Sequence, residues 1–95
     1  MDPVTQEIVP GGITRQTEQV LRNVANLLQA AGSNTANIVR CVVYLKNMAN
    51  FATMNQAYAH FFGLDAPART TVAVGALPKD ALIEIEVTAT LATAT

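Results

Sequence analysis

The chain is 95 residues long, 51% hydrophobic and 14% charged, with a formal net charge of −1; it is one domain, too apolar for a lone soluble globule of this size, and a homo-oligomer is expected. Its six basic residues, Arg15, Arg22, Arg40, Lys46, Arg69 and Lys79, are scattered, which argues against the basic track of a nucleic-acid binder. No apolar run approaches the ~18 residues of a membrane span, the start lacks the segments of a signal peptide, and Cys41 as sole cysteine allows neither an internal disulfide nor a thiolate cluster, so a cytoplasmic protein without metal is expected.

Residues 1–12 hold Pro3, Pro10, Gly11 and Gly12 and read as a loop. From Thr14 the apolar residues Val20, Leu21, Val24, Leu27, Leu28 and Ala31 recur at spacings of three and four, with Arg15, Glu18, Arg22, Asn26 and Gln29 on the other side. That is an amphipathic helix, stopped by Gly32. "NIVRCVVYLK" (37–46) is β-branched and apolar on both faces, as a strand covered by helices on one side and by another subunit on the other would be. Cys41 within it reads as a small core residue.

A second helix is expected after Asn50, which can cap it. Phe51, Met54, Tyr58, Phe61 and Phe62 keep helical spacing, Gly63 is the stop, and His60 falls on the exposed side. Two strands follow, at 69–77 and 82–91, the latter alternating Ile83, Ile85, Val87, Ala89 and Leu91 against Glu84, Glu86, Thr88 and Thr90. The order helix, strand, helix, strand, strand predicts an α+β domain over residues 1–95, with a sheet covered on one face by two helices.

"LPKDA" between the last two strands predicts a hairpin with Lys79 and Asp80 at its tip, pairing Leu77 with Leu82, Gly75 with Glu84 and Ala73 with Glu86. That register puts Arg69, Thr71 and Glu84 on the face away from the helices. It also separates Arg69 from Glu84 by roughly 20 Å, too far for one site within one chain. Thr71, Ala73 and Gly75 are small and leave room beside Arg69 for a ligand or a neighbouring chain.

"PARTTVAVGALPKDALIEIEV", with "AAG" at 30–32, "NMANFATMNQAYAHFF" at 47–62 and the leading "DPVTQEIVPGGI", resembles the RidA family (also called YjgF), the enamine/imine deaminases, over essentially the whole chain. The resemblance implies a homotrimer of a chorismate-mutase-like fold with a pocket at each subunit interface. It implies hydrolysis of 2-aminoacrylate and related imines, released by pyridoxal-phosphate enzymes, to 2-keto acids and ammonia, with no cofactor. By position it makes Arg69 the carboxylate-binding arginine, Glu84 the glutamate near the attacking water and Asn55 a neighbour of the pocket. Thr71 stands where many members carry a cysteine. Family members usually begin with a β-hairpin that supplies a pocket tyrosine; this chain starts just after it.

Arg69 suits that part, because a planar guanidinium holds a carboxylate by two parallel hydrogen bonds, and a carboxylate such as Glu84 can position or deprotonate a water. Read without the resemblance, Arg69 is a solvated edge residue, Glu84 and Glu86 belong to a wet face, and Asn50 is a helix cap. Two other functions stay open: a non-catalytic trimeric binding or regulatory module, and the ribonuclease or translation-inhibitor activity attached to the family.

Overall fold

The computed structural model describes residues 12–63 and 66–91. The loop expected at 1–12 therefore lies outside the described residues except for Gly12. Helix α1, Gly12–Ala30, begins two residues earlier than the apolar spacing suggests. Ile13, Thr17 and Leu21, four apart, are its buried stripe, with Val20, Val24 and Leu28 packed at the margin. Leu27, expected on that stripe, is 71% exposed. The helix ends in paired bonds, Ser33 N–H to the Leu28 carbonyl (2.7 Å) and Gly32 N–H to the Gln29 carbonyl (3.1 Å). This closure needs a left-handed residue, and Gly32 supplies it at φ 83°.

Strand β1, Ile38–Leu45, follows a single helical turn in which the Asn34 side chain accepts from Ala36 N–H. A second such turn, capped by Asn47 accepting from Ala49 N–H, leads into helix α2, Phe51–Phe62. Asn50, expected to cap α2, makes no side-chain capping bond; Asn47 satisfies the donors one turn earlier. Gly63 closes α2 at φ 65°.

The last two strands are β2, Ala68–Ala73, and β3, Ile83–Ala89. The expected hairpin between them does not form. The sheet order is β2-β1-β3, with β1 parallel to β2 and antiparallel to β3. The physical reason is the β1–α2–β2 unit: a strand, a crossover helix and a strand lay β2 parallel beside β1, so β3 is left to pair with the other edge of β1. At Pro78–Asp80 the chain turns with Lys79 and Asp80 both at positive φ, and residues 74–82 carry it past the end of β1.

This order redistributes the faces. Facing the helices are three rows across the sheet: Arg69–Cys41–Val87, Thr71–Val43–Ile85 and Ala73–Leu45–Ile83. Facing away are Ala68–Arg40–Thr88, Thr70–Val42–Glu86 and Val72–Tyr44–Glu84. Arg69 and Thr71 therefore lie on the helix-covered face and Glu84 on the other, contrary to the single shared face that a hairpin would have made.

Both helices pack on the inner rows. Leu21, Leu45, Met54 and Ile83 are fully buried there, each contributing about 1.5–3 kcal/mol of transfer free energy. The bond from the Ser33 hydroxyl to the Thr90 carbonyl (2.6 Å) and that from Leu82 N–H to the Gln16 side chain (2.9 Å) tie α1 and the turn after it to residues flanking the two ends of β3.

Candidate functional site

Arg69 sits in the first inner row, next to Cys41, under α2. On α2, Phe51, Asn55 and Tyr58 follow the spacing i, i+4, i+7 and form one stripe. The Arg69 guanidinium carbon lies 5.5 Å from the Phe51 ring centre and 4.7 Å from that of Tyr58. Each such contact is worth about 0.5–1 kcal/mol at an exposed site and about 2 when desolvated. Among the described residues Arg69 takes part in no ion pair; Lys46 and Asp80 form one at the far end of β1. Asn55, half-buried, occupies the middle of the stripe between the two rings.

Three further polar atoms converge on this edge. Cys41 and Tyr58 are 0% and 3% exposed. Burial pushes the Cys41 thiol above its usual 9.0, against smaller opposing effects of the Tyr58 hydroxyl and the Arg69 charge. Burial likewise pushes the Tyr58 phenol far above its usual 10.0, and the neighbouring Cys41 adds to this. Tyr58 Oη is close enough to Cys41 for the two to influence each other, yet it forms no hydrogen bond of good geometry, so the contact is a weak one. Thr71 Oγ1, one row along from Arg69, is also buried without a partner. An arginine that makes no ion pair among the described residues keeps N–H donors for a small anion such as a carboxylate.

Glu84 is elsewhere. It is exposed on the outer face beside Tyr44. Three residues along β1 and two strand spacings across place its Cα about 14 Å from that of Arg69, with the sheet between them. Glu84 also borders a largely apolar cavity of about 340 Å³ between α1 and β3, whose walls include Val20, Val24, Leu27, Ile83 and Ile85. That cavity is on the opposite edge of the sheet from Arg69. Of the expected site residues, Arg69 and Thr71 thus lie on neighbouring inner rows, Asn55 lies on the α2 stripe whose rings meet Arg69, and Glu84 is apart. In the sequence Phe51 and Tyr58 stand out only as apolar positions of the second helix, although their spacing from Asn55 puts all three on one stripe.

No three His, Cys, Asp or Glu among the described residues are grouped to hold a metal ion, and no described helix is long and apolar enough to cross a membrane.

Residues 1–91 match the family described as Endoribonuclease L-PSP. A RutC family protein of Pyrococcus horikoshii is 52% identical over 86 residues, which are 90% of this chain and 68% of that protein. The bovine 2-iminobutanoate/2-iminopropanoate deaminase is 40% identical over 90% of this chain and 63% of its own length. Among solved structures, Escherichia coli TdcF with bound serine superposes with a TM-score of 0.86 at 34% identity, over 95% of this chain and 72% of that one. The three-stranded mixed sheet with two helices on one face is the chorismate-mutase-like fold of these neighbours. With a match spanning nearly its whole length and relatives named RutC, 2-iminobutanoate deaminase and Reactive Intermediate Deaminase A, the chain belongs to the Endoribonuclease L-PSP family, which includes RidA and YjgF.

Proposed function

We propose that this protein hydrolyses small reactive 2-imino acids of the 2-iminopropanoate type to 2-keto acids and ammonia, with Arg69 holding the substrate carboxylate. The observation that carries the reading is the Arg69 guanidinium, fixed against two rings and engaged by no carboxylate among the described residues. Relatives named as imino-acid deaminases, and a relative crystallised with serine, a small carboxylate-bearing amine, support it.

Arg69 accepts the carboxylate through two parallel N–H donations, which fixes the imine carbon toward one side. A water adds there to form a carbinolamine. Its breakdown expels ammonia, so an iminium acid and water give a 2-keto acid and an ammonium ion. Glu84 orients or deprotonates the water. Since Arg69 and Glu84 lie on opposite faces of one sheet, the working pocket is assembled in a homotrimer, one subunit supplying Arg69, Asn55 and Thr71 and its neighbour supplying Glu84. The part-apolar outer face, with Val39, Val72 and Tyr44, is the surface such a neighbour would cover.

The test generates 2-aminoacrylate from serine with a dehydratase and follows ammonia release. Loss of a bidentate carboxylate contact costs about 2–5 kcal/mol, so Arg69→Ala should lower the catalytic efficiency at least about thirtyfold, with Arg69→Lys recovering only part. Equal activity of wild type and Arg69→Ala would refute the anchor. Absence of activity in the wild type, with retained binding of small carboxylates, would favour a non-catalytic binding module. The separation of Glu84 from Arg69 within one chain is the observation on that side.

A further inference from the structure

We propose that Phe51 and Tyr58 are positioning residues, a two-ring shelf on α2 that orients the Arg69 guanidinium while leaving its N–H donors free for the ligand. This rests on the reading of Arg69 as a carboxylate anchor only for what is being positioned.

A long arginine side chain carries about 2 kcal/mol of rotamer entropy that must be lost before it presents its fork in one orientation. An acidic partner would hold it, but would occupy the donors a substrate carboxylate needs. An aromatic face attracts the cation through its quadrupole and takes up no N–H. Arg69 is held in the second way, by rings at 5.5 and 4.7 Å and by no carboxylate among the described residues.

The shelf is itself anchored. Tyr58 is 3% exposed and packs against Phe62 further along α2, the ring centres 4.7 Å apart and the planes tilted by 51°. Its hydroxyl borders Cys41, the residue beside Arg69 in the sheet register. The position of the guanidinium is therefore set by how α2 packs on β1. Phe51, by contrast, is 38% exposed. It stands at the start of α2 outside the buried core, and it is the ring a variant can remove without opening that core.

Two measurements on the full chain test this. In the first, the Arg69 Nε–Hε signal is followed by NMR. The wild-type proton should carry an upfield ring-current shift that Phe51→Leu reduces and Phe51→Tyr restores. In the second, 2-oxobutanoate, a keto acid of the proposed product class, is titrated. Phe51→Leu should weaken binding about three- to tenfold, the equivalent of one lost cation–π contact, and Phe51→Tyr should bring it back. Tyr58→Leu should weaken it at least as much, with Tyr58→Phe, which drops only the hydroxyl, restoring it.

An Hε signal unmoved by Phe51→Leu, or an affinity unchanged by it while Arg69→Ala abolishes binding, would overturn the shelf. If Arg69→Ala binds 2-oxobutanoate as wild type does, the carboxylate reading fails instead, and the ring-current shift with its loss in Phe51→Leu decides the positioning on its own.

Discussion

Raising the pH above 9 puts the buried pair Cys41 and Tyr58 under load. Both groups hold their protons more tightly in the fold than in the unfolded chain, because burial disfavours the thiolate and the phenolate. For an acid whose folded pKa is raised, the stabilisation is fully present below the unfolded pKa and is lost as pH climbs from there toward the folded value. The window therefore opens near 9.0 for Cys41 and near 10.0 for Tyr58. A group that stays protonated in the fold while the unfolded chain ionises lowers the unfolding free energy by about 1 kcal/mol over the first unit above its unfolded pKa, and by about 1.4 kcal/mol for each further unit.

Urea unfolding at pH 8, 10 and 11, under reductant, should show this as a falling midpoint. Tyr58→Phe cannot ionise, so its loss between pH 10 and 11 should be smaller than that of wild type by about 1 kcal/mol, all other titrating groups being common to both. In a Tyr44→Phe background, where Tyr58 is the one remaining tyrosine, tyrosinate absorbance should rise only with unfolding. An identical decline in wild type and Tyr58→Phe, or a tyrosinate signal in the native protein near pH 10, would refute the account of a desolvated phenol at the Arg69 site.

Leu21→Ala removes a fully buried side chain from the α1 stripe and should cost about 3–5 kcal/mol, lowering the thermal midpoint by more than about 10 °C; calorimetry gives the figure. Gly32→Ala meets no steric neighbour, but it places a Cβ at φ 83°, so it should destabilise by about 1–2 kcal/mol through backbone strain alone. Sedimentation should find a trimer, because the proposed pocket needs residues from two subunits. A stable monomer at micromolar concentration that still releases ammonia from iminopropanoate would remove the need for Glu84 as the water-positioning group.

The two helices and the central strand were legible because their signals are local: apolar residues at three and four for α1 and α2, and the run from Ile38 to Leu45 with no polar alternation. The pairing of the strands was not, because alternation in residues 83–89 says which residues share a face but not which strand lies alongside. Proline and two turn residues between neighbouring strands look like a hairpin tip. The competing clue was that β1, α2 and β2 make a strand–helix–strand unit, and that consequence outranks the turn. The same misreading put Arg69 on the wrong face: once β2 lies parallel to β1, Arg69 aligns with buried Cys41 and falls under Phe51 and Tyr58. Asn50 lost the capping role to Asn47 because an extra helical turn precedes α2, a feature no propensity at that site marks.

The central placement of β1 also sets a schedule for synthesis. The apolar stripe of α1 is made early, but Ile83 and Ile85, which line the layer beneath it, arrive only with the last described strand. At about 5–20 residues per second, the ribosome spends several seconds extending a chain whose first helix and central strand each lack one neighbour. A premature stop anywhere before Ile83 would therefore remove part of the interior, together with the backbone that ties down Gln16 and Ser33. Nascent chains of that length would be expected to present apolar surface to chaperones, whereas a break within the connection at 74–82, once all three strands are in place, leaves every buried row intact.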